Sequence, residues 1–307
     1  MSDTLHLKTI TQAHQSLGLP KPKHPLVSVI WMKDVQSDVD FRGTKIVMNL
    51  YQIVLKPSDD CGNIQYGKNS YDYEEGTLVF TSPGQVISFE DGEASDANEN
   101  STEGWVLAFH PDLIRKSPLV EKISQYSFFD YEVHEALHLS DDERQTIEEL
   151  LEKIVKEYSQ NLDRHSQNLI VSNIELLLDY CSRFYDRQFY TRANLNSDVV
   201  SKFERLLKEY YTSEKLSEMG IPTVGYCAKE LNLSSNYLSD MLKKETERSA
   251  QEHIHSFIID KAKNSLLSTT ESISGIGYGL GFEHPQHFSN LFKAKTGMSP
   301  RAYRQLN

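Results

Sequence analysis

Residues 273–304, ISGIGYGLGFEHPQHFSNLFKAKTGMSPRAYR, decide how the rest of the chain is read. Ser272 is placed to cap a short helix whose Ile273, Ile276 and Leu280 share one face. Gly281 follows, where a tight turn can take a positive φ, and Phe282 plugs the corner. A second helix starts near His284, with Pro285 where a first-turn proline forfeits no hydrogen bond. Phe288, Leu291 and Phe292 return to the same core. Short helix, glycine turn and second helix with an outward polar face make the pattern of a helix-turn-helix.

The pattern occurs twice. Val224, Leu231 and Leu233 stand 49 residues before Ile273, Leu280 and Phe282. Leu238, Met241, Lys243, Thr246 and Ser249 stand 50 before Phe288, Leu291, Lys293, Thr296 and Ser299. One residue is therefore gained between the corner and the second helix. A repeat this long in matching apolar register is a structural duplication. Between the copies, 249–267 reads as one helix with Ile254, Phe257, Ile258, Ala262 and Leu266 inward. Another amphipathic helix, through Val199, Phe203, Leu206, Leu207 and Tyr210, precedes the first copy.

Two such units on one rigid helix can present reading helices to successive major grooves, about 34 Å apart. The outward residues of the first reading helix are Ser235, Asn236, Ser239, Asp240, Lys243 and Lys244; those of the second include His284, Gln286, His287, Asn290 and Lys293. Asn and Gln bond adenine edges bidentately and Asp accepts from cytosine N4, whereas Lys243, Lys244, Lys293 and Arg248 suit phosphates. A polar residue on a helix surface is most often merely solvated. The duplication is what raises Asn236, Ser239, Gln286 and Asn290 above that level. His284 and His287 have metal-pair spacing, but no Cys or carboxylate completes a site.

Charge has to be divided before it is informative. The 307 residues carry a net charge of -12. Residues 198–307 hold 14 basic and 13 acidic residues, +1, which leaves 18 basic and 31 acidic, -13, on the remainder. The C-terminal segment is neutral rather than basic, so phosphate affinity has to come from placed lysines and helix N-termini. The three cysteines, Cys61, Cys181 and Cys227, lack CxxC spacing and point to a reducing cytoplasm rather than to disulfides or zinc. The N-terminus MSDTLHLKTITQAH lacks the pattern of a signal peptide, and no apolar run reaches the roughly 20 residues of a membrane span.

Residues 4–18 have helical spacing through Leu5, Ile10 and Leu17, and Pro20, Pro22 and Pro25 end it. From Leu26 the period shortens: VSVIWM, KIVMNLYQIVLKP, TLVFTSPGQVISF and GWVLAF are β-branched and aromatic runs between turn-rich pieces. They predict a small antiparallel barrel or sandwich over about 26–110. The acidic stretch 91–103 reads as a solvated loop. Inward aromatics that can line a pocket are Trp31, Tyr51, Tyr66, Phe80 and Phe89, and core packing explains them equally well. Two amphipathic helices follow, one carrying Ile147 to Tyr158 and the other Leu169 to Phe184. They either cover the barrel or offer a dimer surface at Leu177 and Leu178. Polar residues 190–197 read as an interdomain linker.

GFEHPQHFSNLFKAKTGMSPRAYR resembles the signature of AraC/XylS-type transcriptional regulators, and AKELNLSSNYLSDMLKKET resembles their first helix-turn-helix. The resemblance covers about 110 C-terminal residues; the N-terminal region is more weakly similar to the family's cupin-like region. It implies an α+β chain in three segments. Residues 1–189 would be a cupin-like antiparallel β-barrel (about 26–110) with a helical pair (about 111–189), serving effector binding and dimerisation. Residues 190–197 would be the linker, and 198–307 an all-α DNA-binding domain with two helix-turn-helix motifs. By position, base reading falls on Asn236, Ser239 and Asp240, and on Pro285, Gln286 and Asn290. The sequence departs from the family at Asn290 (often arginine), Gly277 (usually alanine), Glu247 (often glycine) and the acidic Asp240. Gly277 and Gly279 read as flexible points, at roughly 1 kcal/mol each against alanine.

The resemblance implies promoter DNA as partner, with RNA polymerase a candidate second one, a small-molecule effector of unknown identity, a homodimer through helices 141–189, and no cofactor. The rival reading is a cupin-type metal enzyme. It needs a cluster of His and carboxylate ligands, and Leu26–Phe109 contains no histidine; His24 and His110 only flank it. No GxSxG, P-loop or GxGxxG context is present. A third reading is a ligand-free interaction barrel fused to the DNA-binding domain.

Overall fold

A computed structural model of the chain describes residues 4–35, 45–56, 76–88, 104–161 and 163–305. Tyr66, Phe89, Cys61 and the acidic stretch 91–103 lie outside the described residues. The chain divides into two units, Met1–Thr191 and Arg192–Asn307.

The first unit begins with β1 (Thr4–Leu7) and α1 (Ile10–Ser16). Leu5 is therefore in a strand, not in the helix its spacing predicts. The Thr9 hydroxyl caps α1 by accepting from Gln12 N, so the helix begins after it. The residues before the cap pair in parallel with a strand some forty residues on. The strands that follow are β2 (Val27–Trp31), β3 (Lys45–Met48), β4 (Tyr51–Lys56), β5 (Thr77–Thr81), β6 (Val86–Ser88) and β7 (Trp105–Phe109). Next come α2 (Pro111–Ile114), α3 (Leu119–Lys122), two 3₁₀ turns over 123–130, and β8 (Leu137–His138). One sheet has the order β2-β7-β4-β5-β8, antiparallel throughout; the other is β1-β3-β6, with β1 parallel to β3.

Register across the larger sheet explains its two faces. Trp31, Trp105, Leu55 and Leu78 form one row, and Val29, Leu107, Ile53 and Phe80 the next. This face is closed by aromatic side chains. Tyr51 stacks on Phe109 at 5.0 Å, and Phe80 meets Phe128 at 4.4 Å and Phe129 at 5.6 Å. Tyr51 and Phe80, two of the pocket candidates, are thus packed into this cluster, and Trp31 at the sheet edge is half-buried. The other face carries the row Ser28, Ala108, Gln52 and Thr81. There α1 packs Ile10 and Ala13 against Leu50 and Ala108. His14 bonds Ser28 Oγ at 2.9 Å.

The two helices predicted to follow the strands are α4 (Asp141–Ser159) and α5 (Ser166–Thr191). Ser140 and Glu143 form a capping box that starts α4. Tyr158 on α4 accepts a bond from Val29 N at 3.2 Å, which satisfies an edge-strand amide of β2. Both faces are buried within the single chain: Leu151, Ile154, Leu177, Leu178 and Cys181 are all 0% exposed. Leu177 and Leu178 are therefore core residues, and a dimer surface cannot use them. The apolar residues that α5 leaves exposed are Leu169, Leu176 and Tyr190. Burial pushes the Cys181 thiol well above its ordinary range, which leaves it inert.

The second unit is helical throughout: α6 (Ala193–Tyr210), α7 (Lys215–Met219), α8 (Val224–Glu230), α9 (Ser235–Thr246), α10 (Ala250–Ser268), α11 (Ile273–Gly279), α12 (Pro285–Thr296) and α13 (Pro300–Arg304). The polar stretch 190–197 is helical on both sides of Arg192, where the units divide. Core positions Phe203, Leu207, Ile254, Ile258, Ala262 and Leu266 are buried as their spacing predicts. Ile273 and Phe257 are only half-buried.

Candidate nucleic-acid interface

The duplication seen in the sequence is reproduced bond by bond. Each copy opens with a seven-residue helix capped by a hydroxyl: Thr223 accepts from Tyr226 N at 3.1 Å, and Ser272 from Gly275 N at 2.9 Å. Each helix ends in the same turn. Leu233 N donates to Ala228 O at 2.9 Å, and Phe282 N to Gly277 O at 3.1 Å. The corner residues, Asn232 at φ 55 and Gly281 at φ 88, are both left-handed. The second helix is twelve residues long in each copy. In the first copy it starts at Ser235 after the cap Ser234, and in the second at Pro285 after the cap His284, the inserted residue being Glu283 between corner and cap. Ser234 accepts from Tyr237 N, whereas His284 makes no side-chain cap bond; proline at N1 supplies the preset φ instead.

Both second helices finish alike. Thr246 and Thr296 donate back to Leu242 O and Phe292 O, at 2.7 and 2.8 Å. The caps that follow are left-handed, Glu247 at φ 61 and Gly297 at φ 79. An L side chain at φ 61 costs about 1–2 kcal/mol. The second copy avoids that cost with Gly297 at the matching position. Ser249 and Ser299 then cap α10 and α13.

Core packing differs between the copies in a compensated way. Ala228 and Leu238 of the first copy correspond to Gly277 and Phe288 of the second. A Cβ at Gly277 would lie 3.3 Å from Phe288 Cδ1 and 3.4 Å from its Cβ. The larger ring thus occupies the space a methyl group would take, and Gly277 is a packing position rather than a flexible point. Gly279 is different, because a Cβ there meets nothing within 4 Å. Gly279→Ala is therefore expected to raise stability by about 0.5–1 kcal/mol, read as a higher denaturation midpoint.

The outward stripes emerge at matching positions. Asn236, Asp240 and Lys243 on α9 correspond to Gln286, Asn290 and Lys293 on α12, at i, i+4 and i+7, so each triplet lies on one face. Gln286, His287, Asn290, Lys293, His284, Lys243, Lys244 and Ser235 are exposed; Asn236, Ser239, Asp240 and Pro285 are half-buried. The opposite faces carry the buried Leu238, Met241 and Leu242, and Phe288 and Phe292. The His284 and His287 rings meet edge to face at 5.4 Å. Among the described residues no group of three or more His, Cys, Asp or Glu could hold a metal.

The amide and hydroxyl of Ser249 hold the Glu252 carboxyl below its ordinary range, and the charges of Lys295 and Lys243 add to this. Lysines from the ends of α9 and α12 thus both act on the start of α10. Cys227, at the heart of the first copy, is fully buried, and burial pushes its thiol up to about 11. What the one-dimensional pattern missed is α7, between Tyr210 and the first copy, with Leu216 and the Gly220 that ends it; its only signal was a glycine outside any helical period.

The profile of the helix-turn-helix domain family matches residues 227–306. These residues are an AraC-type helix-turn-helix domain. The chain is 36% identical over 78 residues to the HTH-type transcriptional activator RhaS of Enterobacter sp. (strain 638), covering 25% of this chain and 28% of that protein. The chain is also 28% identical over 142 residues to the raffinose operon transcriptional regulatory protein RafR of Pediococcus pentosaceus, covering 46% of this chain and 50% of that one. Among solved structures, the C-terminal domain of the response regulator yesN from Fusobacterium nucleatum is 29% identical, over 35% of this chain and 98% of that one, with a TM-score of 0.31. The chain spans half or less of the length of these two regulators. The AraC-type domain lies within the second unit, and no helix among the described residues is long and apolar enough to cross a membrane.

Proposed function

We propose that the chain is a sequence-specific regulator of transcription that reads promoter DNA with both helix pairs of its C-terminal unit. The observation that carries this is the duplicated turn and the matching exposed stripes on α9 and α12, within a domain whose relatives are transcriptional regulators. In this reading Asn236, Ser239, Asp240, Pro285, Gln286 and Asn290 face base edges, and His284, His287 and Ser235 flank them. Lys243, Lys244 and Lys293 hold phosphates, which fix register without reading sequence. The N-terminal unit, cupin-like with its helix pair, serves control by an effector or partner and pairing of two copies, and RNA polymerase is a further contact at the promoter.

The reading has a direct test. Binding of the full chain to its upstream DNA should weaken steeply with salt, by roughly 10³ or more between 50 and 200 mM if six or more phosphates are neutralised. Gln286→Ala should relax preference at one base position, at about 1–3 kcal/mol, while Lys293→Ala should weaken all sequences alike and flatten the salt slope by about one. Salt-insensitive binding, or the two variants exchanging behaviours, would refute the assignment.

A further inference from the structure

The covalent link between the two helix pairs is α10, nineteen residues or about 28 Å of helix. Elements of both helix pairs pack along it. A second link joins the two pairs without passing through α10, and it is made of backbone.

α7 ends at Gly220, whose φ of 72 and ψ of -148 fall in a region nearly closed to residues with side chains. Across from it stands Gly281, the corner of the second copy. A Cβ at Gly281 would lie 2.8 Å from Leu216 Cδ1 and 3.0 Å from Gly220 C and Ile221 N. A Cβ at Gly220 would lie 3.0 Å from Gly281 O. Neither position admits a side chain without pushing the other away.

The turn alone does not explain the glycine at 281. The same corner in the first copy is Asn232, left-handed, exposed and carrying a Cβ. What Gly281 answers to is the close approach of Gly220. Gly220 is in turn tied to the first copy. The buried Tyr210 hydroxyl donates to Gly220 O at 2.9 Å, the Tyr210 and Tyr226 rings pack at 5.1 Å, and Lys215 Nζ donates to the Tyr226 hydroxyl on α8 at 2.8 Å.

We propose that the Gly220–Gly281 approach is a clamp that sets the register of α9 against α12, and with it the separation of half-sites the chain accepts on DNA. This rests on both helix pairs reading DNA. Gly220, Gly281 and Tyr210 are positioning residues for spacer selectivity and need not touch the duplex.

The experiment selects a preferred site from random DNA with the full chain, then varies the spacer between its two halves by one and two base pairs. The wild-type chain is expected to bind the selected spacer about tenfold or more tightly than its neighbours. In Gly220→Ala and Gly281→Ala that ratio should shrink to about threefold or less, while Gly279→Ala keeps it. Where Gly281→Ala does not fold, Gly220→Ala and Tyr210→Phe carry the measurement, with a thermal midpoint to confirm the fold. Folded variants that weaken on every spacer alike, with the ratio intact, overturn the clamp. A wild-type chain that selects only a single, undivided site overturns the reading by two pairs, and the clamp with it.

Discussion

Leu177→Asp is expected to unfold the N-terminal unit rather than to yield a folded monomer from a dimer. Leu177 and its neighbour Leu178 are 0% exposed, facing the core that α4 and α5 share. A carboxylate there has no partner to offset its lost hydration, and such substitutions cost more than about 4 kcal/mol against a usual total of 5–15. The result expected is loss of the helical signal and of hydrogen-exchange protection in 141–191. Leu176→Asp, one residue away and 45% exposed, should stay within about 0.5 kcal/mol of the parent. If two chains pair through the outer face of α5, sedimentation will read Leu176→Asp as a folded monomer and the parent as a dimer. A folded, stable Leu177→Asp would contradict the packing described for α5.

Phe288→Ala should collapse the second helix pair. The ring is fully buried, 5.5 Å from Phe282 and 5.8 Å from Phe292, so its removal opens a cavity worth about 3–5 kcal/mol. DNA binding should be lost together with the folding transition of the C-terminal unit. The size exchange between the copies sharpens the test. In the Phe288→Leu background, Gly277→Ala should be at least about 0.5 kcal/mol more favourable than in the parent, because the methyl group no longer meets the ring. Additive effects in that double-mutant cycle would mean that Gly277 is not there to make room for Phe288.

Much of the two helix pairs was legible because their grammar is local. Hydroxyl caps act three residues away, the turn bonds span four or five, and apolar positions recur with the helical period. Ser272 and Pro285 are of this kind, and each stands at the start of its helix. Where the reading went wrong, the deciding contacts were remote. Leu5 belongs to a strand because β1 pairs with β3. Leu177 looked as well suited to a dimer as to a core, because an amphipathic face does not say what covers it.

From residues 198–307 alone come the duplicated helix pairs, their outward polar stripes and the neutral charge that makes individual lysines matter. Periodicity, capping and turn chemistry act within a few residues, so a sequence states them outright. Only the tertiary structure decided that α4 and α5 spend Leu177 and Leu178 on their own core, that Gly277 makes room for Phe288, and that Gly220 meets Gly281 across some sixty residues of chain. Those are contacts between segments whose separation carries no period, and close packing in three dimensions is the only place where they are specified.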